Sequence, residues 1–137
     1  MRVLVVDASV ALKWVVEEDG SEAAAALATQ PLAAPSLLLV ECANVLWVKF
    51  RSGELTPSET VERWRALCDA PVELVPATAL LDHALDLAIQ LAQTVYDCLY
   101  LALAIRLDAQ LVTADRRLAE ASRRDPGLSG RVRLLGD

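Results

Sequence analysis

Five short runs of β-branched and aliphatic residues punctuate this chain, each separated from the next by stretches with helical spacing. That alternation leaves few folds open. The runs are Arg2–Val6, Leu32–Ala34, Val72–Val75, Gln110–Thr113 and Val132–Leu135. Between them the pattern predicts helices over Ser9–Val16, Ser21–Gln30, Ser36–Arg51, Thr56–Asp69, Thr78–Ala92, Thr94–Leu107 and Asp115–Arg123. Strands joined by helical crossovers pair parallel and with right-handed connections. The expected fold class is therefore α/β, a three-layer α/β/α sandwich around a mostly parallel sheet of about five strands. At 137 residues, with no linker or repeat, residues 1–137 are read as one domain.

Local chemistry fixes several helix ends. Thr56-Pro57-Ser58-Glu59 reads as an N-cap, a proline at the first helical position and a capping-box acid. Ser36 is expected to cap the long third helix, which Ser52-Gly53 closes. In Thr78–Ala92, His83 and the stripe Asp82, Asp86, Gln90 and Gln93 are read as a solvated face opposite Leu81, Leu85, Ala88 and Ala92.

Hydrophobic residues make up 55% of the chain, which predicts a large core together with an apolar surface that a partner covers. Of the three tryptophans, Trp47 is the best interface candidate. No apolar stretch reaches the ~20 residues of a membrane span, and the N-terminal apolar run is too short for a signal peptide, so the expected location is cytoplasmic, with no membrane contact. Cys42, Cys68 and Cys98 are widely spaced among apolar neighbours and are read as buried thiols. A net charge of −6 argues against bulk electrostatic binding of nucleic acid. Against that, six arginines fall between Arg116 and Arg133, and Arg116 and Arg117 are candidate phosphate contacts with ordinary surface charge as the even alternative.

The acids that carry chemistry lie where strands end. Asp7 follows the first strand and Asp115 the fourth, at the edge where open parallel sheets gather ligands. Singly, each has a plainer role: Asp7 as the cap of the helix beginning near Ser9, Asp115 as an acid favouring the positive end of its own helix, and Asp97 as the third residue of a capping box begun by Thr94. Glu41 is different. It sits in the middle of the apolar helix around Leu37–Val48, where no cap is needed and a lone charge costs several kcal/mol if buried. Asn44, three residues on, shares its face and is expected to orient it. Clustered carboxylates with no histidine nearby select Mg²⁺, with Mn²⁺ as a substitute, over zinc. Such a site suits phosphoryl chemistry by activated water.

The segments Val5-Val6-Asp7-Ala8-Ser9, Glu41 with Asn44, Tyr96-Asp97-Cys98-Leu99-Tyr100-Leu101-Ala102-Leu103-Ala104 and Leu111-Val112-Thr113-Ala114-Asp115 resemble the PIN-domain ribonucleases, above all the VapC toxins of toxin–antitoxin pairs. The resemblance runs through nearly the whole chain. It implies that Asp7, Glu41, Asp97 and Asp115 are the metal-binding and catalytic acids, with Ser9 and Thr113 as hydroxyls beside them and Asn44 as an orienter. It also implies Mg²⁺-dependent endonucleolytic cleavage of structured RNA, leaving 5′-phosphate and 3′-hydroxyl ends. The implied partners are a second copy of the chain and a VapB-like antitoxin lying across the active-site groove, with DNA reached only through the antitoxin. The competing function is a catalytically weak PIN-like module that holds an antitoxin and helps it repress transcription. A phosphotransfer receiver would need an acidic pair after the first strand and a late lysine. A haloacid-type phosphatase would need Asp-x-Asp where this chain has Asp7-Ala8-Ser9.

Overall fold

The structure, a computed structural model, describes residues 2–137. Strands β1 (Leu4–Val6), β2 (Leu32–Pro35), β3 (Val72–Val75), β4 (Gln110–Thr113) and β5 (Val132–Leu134) form one sheet in the order β3-β2-β1-β4-β5, with every neighbouring pair parallel. The helices are α1 (Ala8–Ala11), α2 (Ser21–Leu27), α3 (Leu37–Arg51), α4 (Pro57–Cys68), α5 (Leu81–Leu91), α6 (Val95–Arg106) and α7 (Arg116–Arg123). From central β1 the chain steps outward to β2 and β3, then returns to the other side of β1 for β4 and β5. The connections leaving β1 and β4 diverge, so the carboxyl ends of those two strands are the topological switch point at which open parallel sheets place a ligand crevice.

Both faces of the sheet are covered, so the strands read as near-continuous apolar runs rather than alternating ones. Leu4, Val6, Leu32 and Val112 pack with Ala24 and Leu27 of α2 on one face. Val5, Ala33 and Leu111 point the other way, into the larger core with α3, α5 and α6. Helix α6 runs through that core, and Cys98 to Ala104 are all buried. Among the described residues no single helix is long and apolar enough to cross a membrane, and α5 and α6 meet at a bend of 113°.

The capping box at Thr56 forms as its sequence predicts, with the Thr56 hydroxyl accepting from the Glu59 backbone and Glu59 accepting from that of Thr56. Elsewhere the structure departs from the sequence reading. The helix expected over Ser9–Val16 is a single turn, α1, followed by a tighter 3₁₀ turn at Leu12–Trp14. Ser36 is not a side-chain cap. Its hydroxyl accepts from the Ala77 backbone at 3.0 Å and so ties the end of β2 to the segment after β3. Cys42 and Cys98 are buried, but Cys68, the last residue of α4, is exposed.

Helix α5 is turned relative to its expected orientation. Ala84 and Leu87 face the core, while Leu81, Leu85 and Ile89 are 43%, 53% and 75% exposed. The apolar sector of this helix is wider than the core can use, and its small residue Ala84 sets the close contact. On α3, Trp47 is half exposed beneath the Arg51 guanidinium, 5.4 Å from the ring centre. With Phe50, Val61 and Trp64 it lines an apolar groove between α3 and α4 of about 270 Å³.

The orientation of α5 has a direct test by urea unfolding. Leu87→Ala is expected to cost about 2–4 kcal/mol, because it empties a packed core position, whereas Leu85→Ala is expected to cost under about 1 kcal/mol. Equal costs at the two positions would contradict the orientation seen here.

Candidate active site

Asp7 leaves the carboxyl end of β1 and is nearly enclosed, at 7% exposure. Three donors hold its carboxylate. Oδ1 accepts from the Ser9 hydroxyl at 2.5 Å and the Val10 backbone N–H at 3.3 Å, and Oδ2 accepts from the Thr113 hydroxyl at 2.5 Å. Each hydroxyl is itself oriented. Ser9 Oγ accepts from Ala114 N at 2.9 Å, and Thr113 Oγ1 accepts from Asp115 N at 3.0 Å. This wiring joins the ends of β1 and β4 and spends both hydroxyl protons on Asp7. Asp7 is therefore a helix cap and also the best-anchored acid of the crevice.

Among the described residues no cation pairs with Asp7. Burial pushes its carboxyl up to about 6, against the pull of the Ser9, Thr113 and Val10 hydrogen bonds and with a further push from the charge of Asp97. A shift of that size corresponds to roughly 3 kcal/mol spent on keeping Asp7 ionised at neutral pH.

Glu41 projects from the middle of α3 and is half-buried. Its orienting partner is the Tyr100 hydroxyl, which donates to Oε1 at 2.5 Å. Asn44, expected in that role, is exposed and makes no hydrogen bond to Glu41 among the described residues. Burial raises the Glu41 carboxyl above the ordinary range, the Tyr100 bond opposes this, and Asp97 adds to it. Tyr100 was missed in the sequence because it lies inside a buried apolar run. The available signal was its phenol, which must find a partner when buried, three residues beyond Asp97 on the same helix.

Asp97 sits in the first turn of α6. Its backbone N–H donates to the Thr94 hydroxyl at 3.1 Å, but its carboxylate does not complete a capping box. Instead Asp97 Oδ2 accepts from the Arg117 guanidinium at 3.1 Å. Asp115 caps α7 through Oδ1, which accepts from Arg117 N at 2.9 Å and Leu118 N at 3.4 Å. Its Oδ2 takes the same Arg117 nitrogen that Asp97 does, at 3.4 Å.

The four acids form one electrostatically linked group. Asp97 is felt at both Asp7 and Glu41, and Arg117 joins Asp97 to Asp115. Among the described residues no three acidic, histidine or cysteine side chains close to the spacing of a preformed cation cage. The donor chemistry nevertheless fits a hard divalent ion. All four candidates offer carboxylate oxygen, the adjacent Cys42 thiol is pushed up to about 12 and stays protonated, and Asp7 is buried with no counter-charge among the described residues. Of the two candidate phosphate contacts, Arg117 turns inward onto the acids, and Arg116 is exposed without an ion pair among the described residues.

The burial of Asp7 makes a signed prediction for the metal-free protein. Its folded-state carboxyl lies above its unfolded value of 3.8, so its contribution favours folding at low pH and is lost as pH rises through about 6. Asp7→Asn is therefore expected to stabilise the protein in EDTA at pH 8 by about 1–3 kcal/mol. The gain should shrink as pH falls towards 4. Urea titrations across this range would contradict the account if Asp7→Asn were destabilised equally at every pH.

The PIN domain family model matches residues 4–124. Ribonuclease VapC3 of Pyrobaculum aerophilum is 36% identical over 121 residues, covering 85% of this chain and 92% of that protein. Three solved structures share the fold. PAE2754 from Pyrobaculum aerophilum superposes with a TM-score of 0.70 at 24% identity, over 96% of this chain and 83% of its own. VapBC2 from Rickettsia felis, bound to a DNA fragment from its promoter, gives 0.63 at 16% identity over 96% and 98% of the two chains. Mycobacterium tuberculosis VapC20, a Sarcin-Ricin loop cleaving toxin, gives 0.67 at 16% identity over 86% and 94%. The match along most of its length, and the kinship to a VapC protein, show that the chain belongs to the PIN domain family.

Proposed function

We propose that this chain is a metal-dependent endoribonuclease, the toxin of a toxin–antitoxin pair acting in the cytoplasm. The observation that carries the reading is the buried Asp7 carboxylate, held by Ser9 and Thr113 and paired with no cation among the described residues, in a chain 36% identical to Ribonuclease VapC3. Asp7, Glu41, Asp97 and Asp115 would hold Mg²⁺ or Mn²⁺. A bound divalent ion supplies activation of water and neutralisation of charge building on a phosphate.

The protein's own groups supply positioning. Ser9 and Thr113 fix both oxygens of Asp7, so that carboxylate cannot rotate away from the crevice. Tyr100 holds one oxygen of Glu41 and leaves the other free to face water or a ligand. Asp97, in the first turn of α6, turns its carboxylate away from the helix and towards Arg117 and Asp115. Water attack on phosphorus breaks the P–O3′ bond, leaving a 5′-phosphate and a 3′-hydroxyl. Structured RNA is the substrate class, a second copy of the chain and a VapB-like antitoxin are the partners, and DNA is reached through the antitoxin. The antitoxin partner has support from the VapBC2 complex, whose fold this chain shares.

A second reading is an antitoxin-holding co-repressor with negligible catalysis. The apolar groove beside Trp47 and the net charge of −6 favour it. Expression without antitoxin separates the two: growth arrest reversed by Asp97→Asn supports the nuclease, and unimpaired growth supports the co-repressor.

Purified protein is expected to cleave RNA with Mg²⁺ or Mn²⁺ and to lose all cleavage in EDTA or in Asp97→Asn. Tyr100→Phe, which frees Glu41, should lower cleavage about 10–100-fold while leaving the fold intact. Activity in EDTA equal to that in Mg²⁺ would end the metal mechanism, and full activity in Tyr100→Phe would remove Tyr100 from it.

A further inference from the structure

Arg117 occupies an unusual place for a surface arginine. Its Nη2 donates to Asp97 Oδ2 at 3.1 Å and to Asp115 Oδ2 at 3.4 Å, and its Nη1 donates to Gln93 Oε1 at 2.5 Å. Two of these acceptors are acids assigned above to the metal. The third is neutral and lies between α5 and α6, just after Ala92, which turns the chain in the left-handed region at φ 53°. A non-glycine residue in that conformation is strained, so the turn presenting Gln93 is maintained by its surroundings.

We propose that Arg117 is a resident counter-cation which must let go of Asp97 and Asp115 before a divalent ion can bind, with Gln93 retaining the released guanidinium at the rim of the crevice. This rests on the nuclease reading above and adds to it a competition within the chain for the same oxygens. Asp97 and Asp115 lie close enough to share one guanidinium nitrogen, and in the described residues Arg117 is the cation that reaches them. Its side chain is 60% exposed, so release costs little packing and leaves the guanidinium in solvent reach of a nucleic-acid phosphate. Arg116, one residue away and exposed, forms no ion pair among the described residues and provides the control for a general charge effect.

Mn²⁺ binding, followed by the loss of the free-ion electron paramagnetic resonance signal and by calorimetry, tests this without any reference to cleavage. Arg117→Ala is expected to bind Mn²⁺ about tenfold more tightly than the wild type, and Arg116→Ala less than about twofold. Arg117→Lys should fall between, because a single ammonium cannot bridge three acceptors as a planar fork does. Gln93→Ala should change Mn²⁺ binding by less than about twofold, because Gln93 holds the guanidinium both before and after its release. Adding diamagnetic Mg²⁺ to ¹⁵N-arginine-labelled wild type should shift the Arg117 side-chain resonance.

The proposal is overturned if Arg117→Ala binds Mn²⁺ no more tightly than the wild type, or if Arg116→Ala tightens it equally. In either case, binding that is still lost in Asp97→Asn leaves the nuclease reading standing. Absence of Mn²⁺ binding in the wild type and in Arg117→Ala would overturn both.

Discussion

A carboxylate sealed into the end of a parallel sheet, with no counter-charge among the described residues, is the feature around which the rest of this structure is arranged. Asp7 cannot turn away, because both of its oxygens are engaged by hydroxyls that are themselves fixed by the backbone following β4. The hydrogen bonds reduce the cost of its charge but do not cancel it, and its carboxyl still lies near 6. Folding accepts that cost because the same hydroxyl bridges lock β1 to β4, the two strands at which the chain reverses its path across the sheet. The same contacts do two things: what joins the strands is also what fixes the orientation of the acid.

The other three acids are arranged by degrees of freedom rather than by burial. Glu41 is half-buried and steered by one phenol, the Asp97 carboxylate turns to Arg117 instead of closing a capping box with Thr94, and Asp115 caps its own helix. Asp97 is the hub, close enough to raise the carboxyls of Asp7 and Glu41 and joined to Asp115 through Arg117. One rigid acid with three adjustable ones suits a site that tightens when a cation arrives. Under the proposed function, the same arrangement would let a chain of net charge −6 approach a polyanion, because four of its acids would serve as a ligand set whose neutralisation lowers the repulsion.

Much of this was legible from the residues alone. The alternation of strand and helix signals gave the parallel sheet, and Asp7 and Asp115 fell at strand ends as the topology requires. Glu41 stood out because a mid-helix acid in an apolar run has no local purpose. What stayed hidden depended on rotation of helices and on distant partners. Tyr100 looks like core until Glu41, 59 residues earlier in the chain, is placed beside it. Asn44 has the right helical spacing to reach Glu41 yet points to solvent. The exposure of Leu85 and Ile89 could not be foreseen because α5 is apolar on more of its circumference than the core covers. Arg117 could be placed near phosphate by sequence, but its grip on two acids arises only when α6 and α7 are brought together.

The most direct test of convergence on a shared cation is anomalous diffraction at the manganese edge from crystals of the full chain grown with millimolar Mn²⁺. The account predicts a peak in the crevice at the ends of β1 and β4, with oxygens of Asp7 and Asp97 about 2.1 Å from the ion. A peak held elsewhere, or one in the crevice that Asp7 does not touch, would contradict it.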